Sequence, residues 1–256
     1  MSAPSAQASA GVLLYVRRVK ESYIPHKGLH HSVSWGLART AALRPAELVC
    51  DPCCGTASLL VEAREYWPHA SYIGCDLDRA QLAKAAANVR AQHGRRSEGV
   101  AASGPPSMPI ALAEADCGAL PLRDASVDCF LSDLPFGRQH GSIEDNLATL
   151  YPRLLGEIGR ALRPHTGRAV LLTAAASAGP LIDADGLATA GLRHVDTQPL
   201  RFCNIDCVMV LLHHASAPPD ASAALFDFAF RQRAGDSATH TWKMEKPMLK
   251  PRQLAP

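Results

Sequence analysis

Four short segments concentrate acids, small residues and one aromatic in a way that suits chemistry on a bound ligand. Asp51-Pro52-Cys53-Cys54-Gly55-Thr56 carries an apolar run into a helical pattern. Small residues there, with backbone N–H groups free at the start of a helix, let a ligand approach the main chain closely. Taken alone, Gly55 would serve equally well as a plain strand-to-helix turn. The acids downstream favour a cofactor pocket. Asp76 ends the next apolar run, about 20 residues on, where an acid in a doubly wound fold bonds a ribose diol. Its plainer role, helix capping, is already filled by Asp78. Asp116-Cys117 follows a third run, where a short polar side chain and a neighbouring N–H can read an adenine edge; a single such acid would more often be a turn residue. Ser132-Asp133-Leu134-Pro135-Phe136-Gly137 follows a fourth. Its parts fit attack by a planar amine on a sulfonium methyl. Asp133 and the Leu134 or Pro135 carbonyls accept the two N–H bonds, and Phe136 stacks on the base. Pro135 lacks an N–H and stiffens the turn, so the carbonyls face a substrate without reorganisation. A buried Phe after a turn would account for Phe136 but not for the acid.

Such segments need a scaffold that brings each to the same edge. After Arg44-Pro45, short apolar runs ending in acids alternate with helical patterns, which predicts parallel βαβ units. Strands are expected at 47–51, 71–76, 110–115, 127–132 and 168–173. A strand from Arg193 and another at 207–212 then form an antiparallel hairpin. The first strand is followed by a helix with Leu59, Leu60, Ala63 and Tyr66 at helical spacing. A second helix starts at Asp78, with Gln81 as its capping-box partner, and ends near His93-Gly94. A third spans 147–162 and stops before Pro164, and a fourth lies around 181–190. Residues 94–109 read as an exposed loop rich in Gly, Ser and Pro. The expected class is α/β, a Rossmann-like sheet of seven mostly parallel strands with a C-terminal antiparallel hairpin.

With 256 residues, 47% of them apolar, the chain can bury one full core. The expected layout is an N-terminal extension (1–27), one domain (28–215) and a C-terminal tail (216–256) holding Leu225, Phe226, Phe228 and Phe230. The 26 basic and 24 acidic residues leave a formal charge of +2, so no global positive field advertises nucleic acid, and any grip on RNA is local. Arg17-Arg18, Lys20 and Arg95-Arg96 read as solvated surface. The eight cysteines sit mostly in apolar runs (Cys50, Cys75, Cys117, Cys129, Cys207), which suits free thiols in a reducing compartment, cytoplasmic or nuclear. Cys203 and Cys207 lack a second Cys/His pair, so no metal site is expected. His30-His31 read as solvated. The apolar stretch at Val12 is too short to cross a membrane.

Taken together, Asp51-Pro52-Cys53-Cys54-Gly55-Thr56 and Asp133-Leu134-Pro135-Phe136-Gly137 resemble the THUMP-associated RNA guanine-N2 methyltransferases, most closely their eukaryotic tRNA branch. The likeness covers about residues 28–213, including Leu43-Arg44-Pro45, Ala119-Leu120-Pro121-Leu122-Arg123, Leu150-Tyr151-Pro152 and the run from Thr166 to Thr173. The resemblance implies a class I methyltransferase fold and S-adenosylmethionine as cofactor. The cofactor-binding set is then Asp51, Cys53, Gly55, Thr56, Asp76, Asp116 and Cys117, and the catalytic set Asp133, Pro135 and Phe136. The implied product is N2-methylguanosine in tRNA or another structured RNA, and the implied partner a small zinc-binding activator subunit.

Two departures stand out. Ala57 replaces a family glycine and is expected to narrow the space for the cofactor; Asn204-Ile205-Asp206 stands where Gly-Gly is expected. In the family a THUMP module lies ahead of the catalytic domain, whereas about 30 residues precede the likeness here, too few for a domain. RNA capture is therefore expected to come from elsewhere, or the chain to be a fragment or divergent product. Two alternatives stay open: methylation of adenine N6, which the same acid-x-Pro-aromatic turn suits, and a non-catalytic binding subunit, which Ala57 and the missing module favour.

Overall fold

The computed structural model describes residues 24–99, 108–135, 146–202 and 205–219. Seven strands form one sheet: β1 (Leu48–Asp51), β2 (Ser71–Asp76), β3 (Ile110–Glu114), β4 (Cys129–Asp133), β5 (Arg168–Ala174), β6 (Leu192–Phe202) and β7 (Ile205–His214). Their order is β3-β2-β1-β4-β5-β7-β6. The first five are parallel; β7 runs antiparallel to both β5 and β6, the expected hairpin.

Side chains on a strand alternate between faces, and here both faces are apolar. Val49, Leu131, Val170, Leu172 and Leu211 join one core cluster, while Cys50, Phe130, Leu171 and Val210 join the other. Helices must therefore cover both sides. The first layer holds α1 (His31–Thr40), α2 (Ser58–Tyr66) and α3 (Arg79–Gly99), through residues such as Leu37, Leu60 and Ala85. The second holds α4 (Tyr151–Ala161), α5 (Gly179–Ile182) and α6 (Ala184–Thr189), through Leu154, Ile158, Leu181 and Leu187. The buried Arg64 of α2 staples the first layer, donating from Nε to Gln92 Oε1 of α3 at 2.8 Å.

Four local expectations need correction. The second helix does not stop at Gly94 but runs to Gly99, because one interior glycine costs only about 1 kcal/mol and Arg95, Arg96 and Glu98 are good helix formers. Asp78 does cap it, its Oδ1 accepting the Ala80 N–H at 2.7 Å, but Gln81 is no capping-box partner: the Asp78 N–H donates to Asp76 Oδ1 instead. The helix expected from Leu147 opens as a π-helical turn, Asn146–Leu150, and becomes α4 at Tyr151, where Pro152 occupies the first turn. The helix expected around 181–190 is broken at Asp183, whose side chain caps α6 by accepting the Gly186 N–H at 2.8 Å.

Candidate functional site

β1 and β4 are sheet neighbours, yet the helices near them, α2 and α4, lie on opposite faces. Ligands of open α/β sheets bind at such a switch point, beyond the carboxyl ends of the strands. A cleft of about 720 Å³ opens there. Asp51, Cys53, Gly55, Thr56, Asp76, Asp116, Cys117, Asp133 and Pro135 all line it. Phe136 lies outside the described residues.

Asp51 ends β1 and is buried; its Oδ1 accepts the Ser132 hydroxyl at 2.6 Å and the Cys53 N–H at 3.1 Å. Burial pushes its carboxyl up to about 7, and the charges of Asp133 and Asp76 add to the rise, against the pull of those two hydrogen bonds. Asp133 ends the adjacent strand, and burial pushes it also up to about 7. Its Oδ1 is shielded from solvent with no hydrogen-bond partner among the described residues. A buried acceptor left unpaired costs about 1–3 kcal/mol, so this oxygen calls for a donor from a ligand.

The turn that follows is held from below. The Leu134 N–H donates to Leu172 O at 2.9 Å, prolonging the β4–β5 ladder. The buried Tyr151 donates its hydroxyl to the Pro135 carbonyl at 3.2 Å and shares a 2.8 Å hydrogen bond with Thr173. On the other wall, Asp76 Oδ2 accepts the Gly55 N–H at 2.8 Å, tying the ends of β1 and β2 together, and Gly55 adopts the left-handed φ of 51° that its lack of a Cβ permits. Asp116 accepts the Gly118 N–H at 2.8 Å and pairs with Arg153 at 2.7 Å, contacts that hold its carboxyl below the usual range. The thiols of Cys53 and Cys117 hydrogen-bond to each other, which together with burial raises Cys53 and keeps it protonated.

Ala57 is not where its substitution suggests. It caps the start of α2 with a left-handed φ of 57°, and its methyl group packs, fully buried, into the first core cluster rather than lining the cleft. The expected narrowing of the cofactor space is therefore overturned; the cost falls on the backbone, about 1 kcal/mol for a non-glycine residue in that region.

Several lining residues carry no motif. Leu77, 68% exposed, stands at the rim between Asp76 and Asp78, an apolar residue flanked by acids that the sequence could have flagged. Ile205, in the segment that departs from the family's Gly-Gly, supplies part of the far wall with Leu150. Lys27, Gly28 and Leu29 form a strap across the near rim. Asn88 of α3, buried, clamps it: Asn88 Oδ1 accepts the His26 N–H at 2.9 Å, and Nδ2 donates to His26 O at 2.9 Å and Thr56 O at 2.8 Å. A sequence separation of 62 residues between strap and clamp leaves no local signal. Cys207 sits in the core, and Cys203 lies outside the described residues.

A family model described as "RMKL-like, methyltransferase domain" matches residues 23–209, most of the described fold and all of the cleft. The chain belongs to this methyltransferase family. The chain is 36% identical over 147 residues to the tRNA (guanine(6)-N(2))-methyltransferase THUMP3 of Mus musculus, a match covering 57% of this chain and 28% of that protein. It is 34% identical over 142 residues to the U6 snRNA (guanine-N(2))-methyltransferase THUMPD2 of Bos taurus, covering 56% and 25%. The chain thus spans roughly a quarter to a third of the length of these relatives. TrmN from Thermus thermophilus shares its fold, with a TM-score of 0.53 at 23% identity over 72% of this chain and 48% of that one.

Proposed function

We propose that this chain transfers a methyl group from S-adenosylmethionine to the exocyclic N2 amine of guanine in RNA, with tRNA as the first substrate class. The observation that carries the reading is Asp133 Oδ1: a buried carboxylate oxygen, unpaired among the described residues, on a turn held by Tyr151 and the β5 ladder. The cleft suits the cofactor, since its acids meet cationic groups and its volume is that of a small-molecule site. When bound, S-adenosylmethionine supplies a methyl group on a positively charged sulfur, already activated for displacement. Asp76 is positioned for the ribose, and Asp116 with the backbone at Cys117 for the adenine edge. Asp133 accepts one N–H of the substrate amine, and its raised proton affinity suits it to take that proton as the new N–C bond forms. Pro135 presents a fixed carbonyl beside it, so orientation supplies much of the rate.

Residues 28–215 form the catalytic domain in this reading. Guanine N2 is favoured over adenine N6 by the names of the relatives, both of which specify guanine-N(2). A reducing compartment, cytoplasm or nucleus, fits the seven described cysteines, all free thiols. No described helix is long and apolar enough to cross a membrane. A small zinc-binding activator is carried forward from the family resemblance as the partner to add to assays.

The test uses radiolabelled S-adenosylmethionine, tRNA and U6 snRNA, with and without that activator, followed by nucleoside analysis. N2-methylguanosine from the parent and none from Asp133→Ala, with cofactor affinity retained in the variant, supports the proposal. N6-methyladenosine would replace guanine by adenine as the substrate base. No labelled nucleoside from any RNA, despite cofactor binding, would leave the non-catalytic reading.

A further inference from the structure

The cleft is electrostatically lopsided. Carboxylates from Asp51, Asp76, Asp116 and Asp133 line it, and Lys27 is the one cationic side chain among its described lining residues. Asp116 is already answered by Arg153, whereas Lys27 makes no ion pair among the described residues. A ligand whose groups are all cationic or neutral would make no use of it.

The strap places Lys27 with care. Two hydrogen bonds with Asn88 fix the backbone at the neighbouring His26, a third runs from Asn88 to Thr56 O, and Gly28 lies so close to α2 that a Cβ there would collide with the hydroxyls of Thr56 and Ser58. That contact brings Lys27 beside the first turn of α2, whose N-cap, Ala57, offers no side-chain hydrogen bond. The start of a helix carries partial positive charge, so Lys27 and α2 together make the positive end of a cleft that is otherwise acidic. The methionyl arm of S-adenosylmethionine has a matching division: a sulfonium and an ammonium, which suit the acid at Asp51, and one carboxylate, which does not.

Resting on the methyltransferase reading above, we infer that Lys27 receives the carboxylate of the methionyl arm and so selects cofactors that carry an intact amino acid. An RNA phosphate is the competing anion. The strap's docking on Thr56 and Ser58, at the cofactor end of the cleft rather than on the turn at Asp133, favours the carboxylate.

Isothermal titration of the full chain with two probes tests this. S-Adenosylhomocysteine carries the amino-acid arm and 5′-methylthioadenosine lacks it, while both share the adenosine. Lys27→Met is expected to weaken S-adenosylhomocysteine roughly tenfold, the size of one charge-assisted contact at a rim, and to leave methylthioadenosine within about twofold; Lys27→Arg should restore most of the loss. Equal weakening of both probes would mean that Lys27 only shapes the strap, and would overturn the assignment. No change in either, with a raised KM for RNA, would assign Lys27 to phosphate instead. A parent chain that binds neither probe would bring down the methyltransferase reading itself.

Discussion

Asp133 stores instability that a single atom change should release. Its carboxyl titrates near 7 rather than at the ordinary 3.8, because burial disfavours the charged form. A displacement of about 3 units is about 4 kcal/mol of native-state penalty once the group ionises in both states, at about 1.4 kcal/mol per unit. The sign follows from proton counting. Between about pH 4 and 7 the folded chain keeps a proton that the unfolded chain has shed, so the acid's contribution to stability is intact below pH 4 and is lost as pH rises through 7. Asp133→Asn is neutral at every pH and escapes the penalty. Relaxation and water entry reduce such figures, and a gain of about 2 kcal/mol at pH 8 is the working expectation, shrinking to a few tenths near pH 4.

Urea denaturation of the ligand-free protein at those two pH values measures it. With a slope of about 2 kcal/mol per molar urea, the variant's midpoint should rise by about 1 M at pH 8 and scarcely move at pH 4. The same variant should lose methyl transfer by a hundredfold or more, since the amide cannot take a proton from the amine. Equal midpoint shifts at the two pH values, or no gain at pH 8, would refute burial as the cause of the raised value. Near-parental turnover would remove the Asp133 turn from catalysis.

Other expectations are simpler to state. Tyr151→Phe removes the hydroxyl that holds Pro135, and should lower kcat about tenfold and stability by about 1–2 kcal/mol while leaving cofactor affinity unchanged; a fall in KM alone would contradict the positioning role. Asp76→Ala should weaken cofactor binding by about 1–3 kcal/mol in titrations, and unchanged affinity in a folded variant would take Asp76 out of the site. Ala57→Gly should leave cofactor affinity within about twofold, because the methyl group points into the core; a large gain in affinity would restore the idea of a narrowed pocket. His213 is buried with neither ring nitrogen hydrogen-bonded among the described residues, and burial, with the nearby Arg193 and Arg168, pushes it down to about 4. Its contribution is therefore intact above 6.5 and lost as pH falls from 6.5 to 4, by up to about 3 kcal/mol, so His213→Leu should flatten that acid limb of the stability profile.

The sheet is legible in the sequence because its strands are apolar on both faces and end in acids. Val49-Cys50-Asp51 and Phe130-Leu131-Ser132-Asp133 state burial and termination within a few residues of one another. The clustering of Asp51, Asp76, Asp116 and Asp133 follows from that topology alone, since parallel strands deliver their carboxyl ends to one edge. What resists reading is set by partners distant in the chain. The strap at Lys27 depends on Asn88, and the poise of Pro135 on Tyr151 and Thr173. The direction of the Ala57 methyl group depends on a backbone angle that no composition reveals. Helix boundaries failed for a different reason: a lone Gly94 does not outweigh the helix formers that follow it, whereas Asp183 accepts the Gly186 N–H, a hydrogen bond that rewards stopping.

The Ser132 hydroxyl reaches across from β4 to Asp51 on β1, so the two acids that close the cleft belong to one electrostatic unit. With both carboxyls near 7, the cleft at neutral pH holds on the order of one proton between them. A ligand bearing positive charge and a proton compete for the same place, so loading the cleft expels hydrogen ions into solution. Cofactor uptake becomes an exchange, tighter in alkaline surroundings than in acid ones, and its measured heat should differ between Tris and phosphate by the ionisation enthalpy of the buffer that collects the released proton.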